Sequence, residues 1–172
     1  MDWTEAKDIL SSIQERHFSE SGKVIQKLLA LALQRLGYDH MEERSIQGVD
    51  IDVMNIATGE KHSFEVKTSK NTEIIIAEKD SKGLRVREED GYQTFYAILC
   101  YPLCFSEGWI IVPSNLVSEG SHRAMGLLRR RDSKLSEKVN EVFPQVVEEV
   151  GPSILSCAPG TALGFLKEKH NI

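Results

Sequence analysis

Two helical stripes open the chain. Between Thr4 and Arg16, the apolar residues Ala6, Ile9, Leu10 and Ile13 fall on one face, with Thr4 as the expected cap. From Ser19 to Leu36 a wider stripe of Val24, Ile25, Leu28, Leu29, Ala32, Leu33 and Leu36 predicts a buried helix, capped by Ser19 and ended by Gly37. The period then changes. Val49 to Ile56 and His62 to Thr68 alternate polar with apolar or β-branched residues around Ala57-Thr58-Gly59-Glu60, which predicts a β-hairpin. "TEIIIAEKD" reads as a strand or a helix entry, Gly91 to Tyr101 as a central strand, and "GWIIVP" as a further strand closed by Pro113. Beyond Ser114 the pattern turns helical and more polar. Val139, Val142, Phe143, Val146, Val147 and Val150 recur at helical spacing, and Pro144 is expected to kink that helix or mark a restart. Gly151-Pro152 and Ala158-Pro159-Gly160 are expected to break the chain before a last helix from Ala162 to Lys169.

The hairpin carries the candidate chemistry. With its turn centred between Thr58 and Gly59, Asp52 faces Glu65 and Asp50 faces Lys67. Side chains alternate across a sheet, so Asp50, Asp52, Glu65 and Lys67 share one face, while Ile51, Val53, Phe64 and Val66 share the other. Directly opposed Cβ atoms lie roughly 4.5–5.5 Å apart, so Asp52 and Glu65 would set two like charges together. A divalent cation relieves that conflict, and Mg²⁺ takes one or two carboxylates together with waters and substrate phosphate. The competing reading is a solvated outer face whose charges pair loosely, Asp50 with Lys67 for instance.

At 172 residues the sequence fits one domain, 1–172, and 41% hydrophobic with 27% charged residues is ordinary for a globular protein. No apolar run has membrane-spanning length and the N-terminus lacks the order of a signal peptide, which leads to the expectation of a cytoplasmic protein without a membrane partner. A net charge of -5 argues against broad coating of nucleic acid, so a nuclease would need a local basic surface. The basic run lies in "HRAMGLLRRRDSKLSEK", where Arg129, Arg130 and Arg131 are either a solvated face or a phosphate-contacting edge. Cys100, Cys104 and Cys157 have no metal or disulfide spacing and read as buried thiols. The apolar stripe from Val139 to Val150 follows the sheet elements it would cover, which raises the expectation of a homodimer.

A helix carrying Glu20, a strand carrying Asp50 and Asp52, a turn, Glu65-Val66-Lys67 and then "GWIIVP" together resemble the PD-(D/E)xK nuclease superfamily, over roughly residues 19–113. The resemblance implies an α/β, restriction-endonuclease-like core, a mixed β-sheet flanked by helices, with a helical C-terminal region from about 114 to 172. It implies a nuclease that hydrolyses DNA phosphodiester bonds with Mg²⁺ or Mn²⁺, held by Asp52, Glu65 and the Val66 carbonyl. Lys67 would orient or deprotonate the attacking water, and Glu20 would contact the metal through a water. Val49-Asp50-Ile51-Asp52 departs from the family motif in lacking a proline before the acid, which leaves open which aspartate is the ligand; the hairpin register favours Asp52 and sets Asp50 in the catalytic group to pair with or orient Lys67. Lys70, just past the triplet, is a candidate phosphate contact. The alternative is an inactive module on the same fold that binds nucleic acid or protein.

Overall fold

The first stripe folds into helix α1, Thr4–Arg16, with Ala6, Leu10 and Ile13 buried. The second forms α2, Ser21–Arg35, and Gly37 ends it with φ +92°. Neither helix uses the expected cap: Trp3 and Glu20 occupy the N-cap positions, without a side-chain capping bond. Trp3 contributes packing instead, its ring stacked at 5.7 Å from Phe143. The computed structural model describes residues 3–43, 49–101 and 107–171, so Cys104 lies outside them.

Five strands form the main sheet: β1 (His40–Glu43), β2 (Ile51–Met54), β3 (Lys61–Ser69), β5 (Gln93–Cys100) and β6 (Trp109–Pro113), in that order across it. β4 (Glu73–Ile76) and β7 (Gly120–Arg123) make a separate antiparallel pair. β1, β2 and β3 are antiparallel neighbours, β3 runs parallel to β5, and β5 is antiparallel to β6, so the sheet is mixed. Connecting β3 to β5 in parallel requires a crossover, supplied by β4 and α3 (Glu78–Glu89). Helices α4 (Ala124–Leu128), α5 (Ser133–Ser156) and α6 (Ala162–His170) complete the helical C-terminal region.

Alternation along the strands divides the core in two. Ile51, Val53, Phe64, Phe95, Ala97, Leu99, Trp109 and Ile111 pack with α1, α2, α5 and α6 on one face. Tyr96, Ile98, Ile110 and Val112 pack with Leu84 of α3, Ile74 and Ile76 of β4, and α4 on the other. The charged side of the hairpin is on this second face, beneath α3. Asp52 and Glu65 are 2% and 7% exposed, which rules out a solvated outer face.

α5 runs through Pro144 and Pro152 as one continuous helix, contrary to a restart at Pro144 and to the break expected at Gly151-Pro152. Each interior proline costs about 3 kcal/mol, but Val139, Phe143, Val146, Val147, Val150 and Ile154 are all buried, at roughly 1.5–3 kcal/mol for each large side chain. Gly151 fits this packing because its missing side chain lets α1 approach: an added Cβ would lie 2.3 Å from Ile9 Cγ2. The stripe from Val139 to Val150 is thus covered by the chain's own α1, α2 and α6, and the reason it gave for a dimer disappears. Cys100 is buried as expected, whereas Cys157 is only half-buried. Gly151→Ala is expected to cost about 1–3 kcal/mol by overpacking, seen as a lower thermal midpoint, with Ile9→Ala in the same chain recovering part of the loss.

Candidate active site

A four-residue loop, Ile56 to Gly59, sets the geometry of the site. Asn55 Oδ1 accepts the Ala57 and Thr58 N–H groups at 3.0 and 3.2 Å, Gly59 N–H donates to the Asn55 carbonyl at 2.8 Å, and Gly59 takes φ +72°. This is an Asx turn that a glycine closes in the left-handed region. The loop is centred one residue earlier than the sequence suggested, so every pairing shifts by two. Asp52 faces Ser63 rather than Glu65, and Ile51 faces Phe64. Because the shift is even, each side chain keeps its face.

Asp50, and not Asp52, therefore stands at Glu65. The regular β2–β3 pairing ends at Ile51, and there Asp50 N–H donates to the Phe64 carbonyl at 2.9 Å while its Oδ2 accepts the Val66 N–H at 2.8 Å. Asp52 lies further down the strand, accepting from Ser63 Oγ at 2.6 Å and paired with Arg87 Nε of α3 at 3.1 Å. Arg87 is held in turn by Asp90 at 2.6 Å and stacks over Tyr92. Lys67 reaches Glu65 Oε1 at 2.9 Å and Asp80 Oδ2 at 2.6 Å, not Asp50 as the sequence pairing suggested.

The electrostatics follow from this crowding. Burial, followed by the charge of Asp50, pushes the Glu65 carboxyl up to about 7, against the opposing pull of Lys67. Burial also raises Asp50, outweighing the Val66 N–H and the ammonium groups of Lys23 and Lys67. Burial works against the Lys67 charge, but Asp80 and Glu65 outweigh it and hold the ammonium above its usual value. The two adjacent acids are thus short of positive charge. Asp50, Glu65 and the Val66 carbonyl offer only oxygen donors, the set that Mg²⁺ and Mn²⁺ accept. Among the described residues no group of three His, Cys, Asp or Glu side chains converges in a way that could hold a metal ion.

Glu20 does not reach this cluster. It sits at the start of α2 with Oε1 accepting the Ala162 N–H at 2.8 Å and lying 3.3 Å from His17 Nδ1, so it fastens α6 to the α1–α2 turn. The α2 side chains at the hairpin are Lys23, 3.8 Å from Asp50 Oδ1, and Gln26, whose Nε2 donates to the Asp50 carbonyl at 3.3 Å. Lys70 is exposed three residues beyond Lys67, its ammonium 5.1 Å from the Phe18 ring centre. Arg129, Arg130 and Arg131 occupy the turn between α4 and α5 at the β6 edge, where Arg130 donates to the Leu116 carbonyl and Arg131 pairs with Glu107.

Asp80, Gln26 and Arg87 were not among the residues the sequence singled out. Asp80 had a readable signal, since an acid in the first turn after "TEIIIA" marks a helix start, and its Oδ2 does accept the Ala77 N–H at 2.9 Å. Gln26 had none, being one polar position inside an apolar helix.

Neither a family model nor a curated protein matches this chain. Its backbone does match the crystal structure of the Holliday junction resolvase from the archaeal hyperthermophile Archaeoglobus fulgidus, with a TM-score of 0.54 and 13% identity over 67% of this chain and 95% of that one. The fold is restriction-endonuclease-like. At this identity the likeness extends to the nuclease fold and its mixed sheet, while the side chains must be argued from their own geometry.

Without divalent ions, the stability contributed by protonated Glu65 is fully present below its ordinary value of 4.5 and is lost as the pH rises through about 7. Burial lowers the His62 imidazole from 6.5, which acts in the opposite sense, so the comparison needs Glu65→Gln as reference. Urea midpoints at about pH 5 and about pH 7.5 are expected to show the wild type losing stability relative to the variant as pH rises. Parallel profiles would contradict the shift at Glu65.

Proposed function

We propose that this chain is a divalent-metal-dependent nuclease that hydrolyses DNA phosphodiester bonds at Asp50, Glu65 and Lys67. The observation that carries this reading is Glu65, a buried carboxyl beside a second carboxylate and pushed up to about 7, on the β3 strand that runs parallel to β5 in the mixed sheet. Asp50, Glu65 and the Val66 carbonyl would hold Mg²⁺ or Mn²⁺. When bound, such an ion would polarise the scissile phosphate, make a water more acidic and offset developing negative charge.

The chain's own groups supply the rest. Asp50 is steered by its bond to the Val66 N–H, which fixes one carboxylate oxygen against the Glu65-Val66 peptide. Lys67 presents a persistent positive charge beside Glu65, suited to orienting a nucleophile or a phosphate oxygen. Its raised value makes an electrostatic role fit better than proton abstraction, which requires a neutral amine. Exposed Lys70 extends the cationic side of the site as a backbone contact, and Arg129 is available at the β6 edge for more distant phosphates.

The second reading, a module that binds nucleic acid or protein without cutting, draws on Lys67, whose ammonium is engaged by both Glu65 and Asp80. Cleavage assays on linear and branched DNA decide between them. Cutting is expected with Mg²⁺ or Mn²⁺, to vanish with EDTA, and to fall by at least about 100-fold in Lys67→Ala. Binding without cutting of any DNA form, with either ion, favours the inactive module.

A further inference from the structure

We propose that Asp80 is a positioning residue for Lys67, holding its ammonium at the reacting phosphate when Glu65 is drawn to the cation. This rests on the nuclease reading of the site. Lys67 has two carboxylate partners, Glu65 Oε1 at 2.9 Å and Asp80 Oδ2 at 2.6 Å. These have different fates. Glu65 belongs to the oxygen set that would take the ion, so its hold on Lys67 weakens once its charge is shared. Asp80 comes from α3, outside that oxygen set, and keeps its hold.

α3 makes a rigid anchor for that contact. The Asp80 side chain is 1% exposed, and the oxygen that meets Lys67 also accepts the Ala77 N–H at 2.9 Å, in the first turn where the helix dipole favours a negative charge. Leu84, 1% exposed, seats the middle of α3 on the sheet, and Arg87 fastens its far end to Asp52 at 3.1 Å. Asp80 is therefore fixed relative to β3 at both ends of its helix. A lysine side chain has four rotatable carbon–carbon bonds to fix, and with Glu65 engaged elsewhere an untethered Lys67 would sample many positions. Misplacement by about 1 Å is enough to cost on the order of 100-fold in rate.

The test combines a measurement on the chain alone with one on the reaction. Asp80→Asn preserves size and an acceptor for the Ala77 N–H while removing the charge that holds Lys67. In the absence of DNA and metal, the Lys67 ammonium is expected to give a slowly exchanging NMR signal in the wild type and to lose it in Asp80→Asn; retention of the signal in the variant would overturn the tether. In cleavage, Asp80→Asn is expected to lower kcat by about 10-fold or more, with Mn²⁺ affinity and KM for DNA within about 2-fold of wild type. Asp80→Glu is expected to recover part of the rate. Combining Asp80→Asn with Lys67→Ala is expected to be no slower than Lys67→Ala alone, because both remove one device. An unchanged kcat in Asp80→Asn, or losses that multiply in the double variant, would overturn the positioning role. A wild-type chain that cuts no DNA would defeat the nuclease reading instead, and the ammonium signal would still decide whether Asp80 holds Lys67.

Discussion

Asn55 closes the β2–β3 loop with its side-chain oxygen on two N–H groups and its carbonyl on a third, and the chemistry of the sheet face depends on where that closure falls. Moving the loop centre by one residue moves every cross-strand partner by two. With Gly59 as the last loop residue, the strand ladder ends at Ile51, leaving the Val66 N–H to the side chain of Asp50. Asp50 is thereby carried to Glu65, and Asp52 is left in the dry interior with Ser63 and Arg87. A single turn therefore assigns one aspartate to the candidate site and the other to holding α3 on the sheet.

The charges beneath α3 divide along the same line. Toward the loop end of β3, Asp52 is matched by a hydrogen-bond donor and a guanidinium, an arrangement whose disruption from one side typically costs about 3–5 kcal/mol. Toward the other end, Glu65 and Asp80 share the ammonium of Lys67, and Asp50 beside them is approached by Lys23 from the solvent side. The first group is balanced and structural. The second is left with an excess of negative charge, visible in the raised Glu65 carboxyl, and a divalent ion at Asp50 and Glu65 would remove that excess. α3 serves both groups: Arg87 in its last turn closes the first, and Asp80 in its first turn holds the lysine of the second.

Hydrophobic period was enough to read the two N-terminal helices, the hairpin, the central strand at Phe95 to Leu99 and the last helix. Face was legible as well, because an even shift in register leaves the alternation of Ile51, Val53 and Phe64 against Asp52 and Glu65 intact. Register was not, since it depended on a turn whose signal was Asn55 with Gly59 four residues later, rather than on Gly59 alone. Only the entry of α3 was legible, because "EKDSKGLRVREE" is mostly charged, with Leu84 its one buried apolar side chain, and its place is set by contacts from distant strands. Glu20 fitted a family pattern by its position near a helix start, but its side chain satisfies the first N–H of α6. Pro144 and Pro152 follow local rules that packing overrides: the valines around them bury more than the broken helical bonds cost.

Calorimetric titration of Mn²⁺ into Asp50→Asn and Asp52→Asn, both verified as folded by circular dichroism, addresses the hairpin register and the candidate metal site together. Asp50→Asn is expected to lose Mn²⁺ binding, and Asp52→Asn to bind with near wild-type affinity while melting at a lower temperature because Arg87 loses its charged partner. Loss of binding in Asp52→Asn with retention in Asp50→Asn would contradict it.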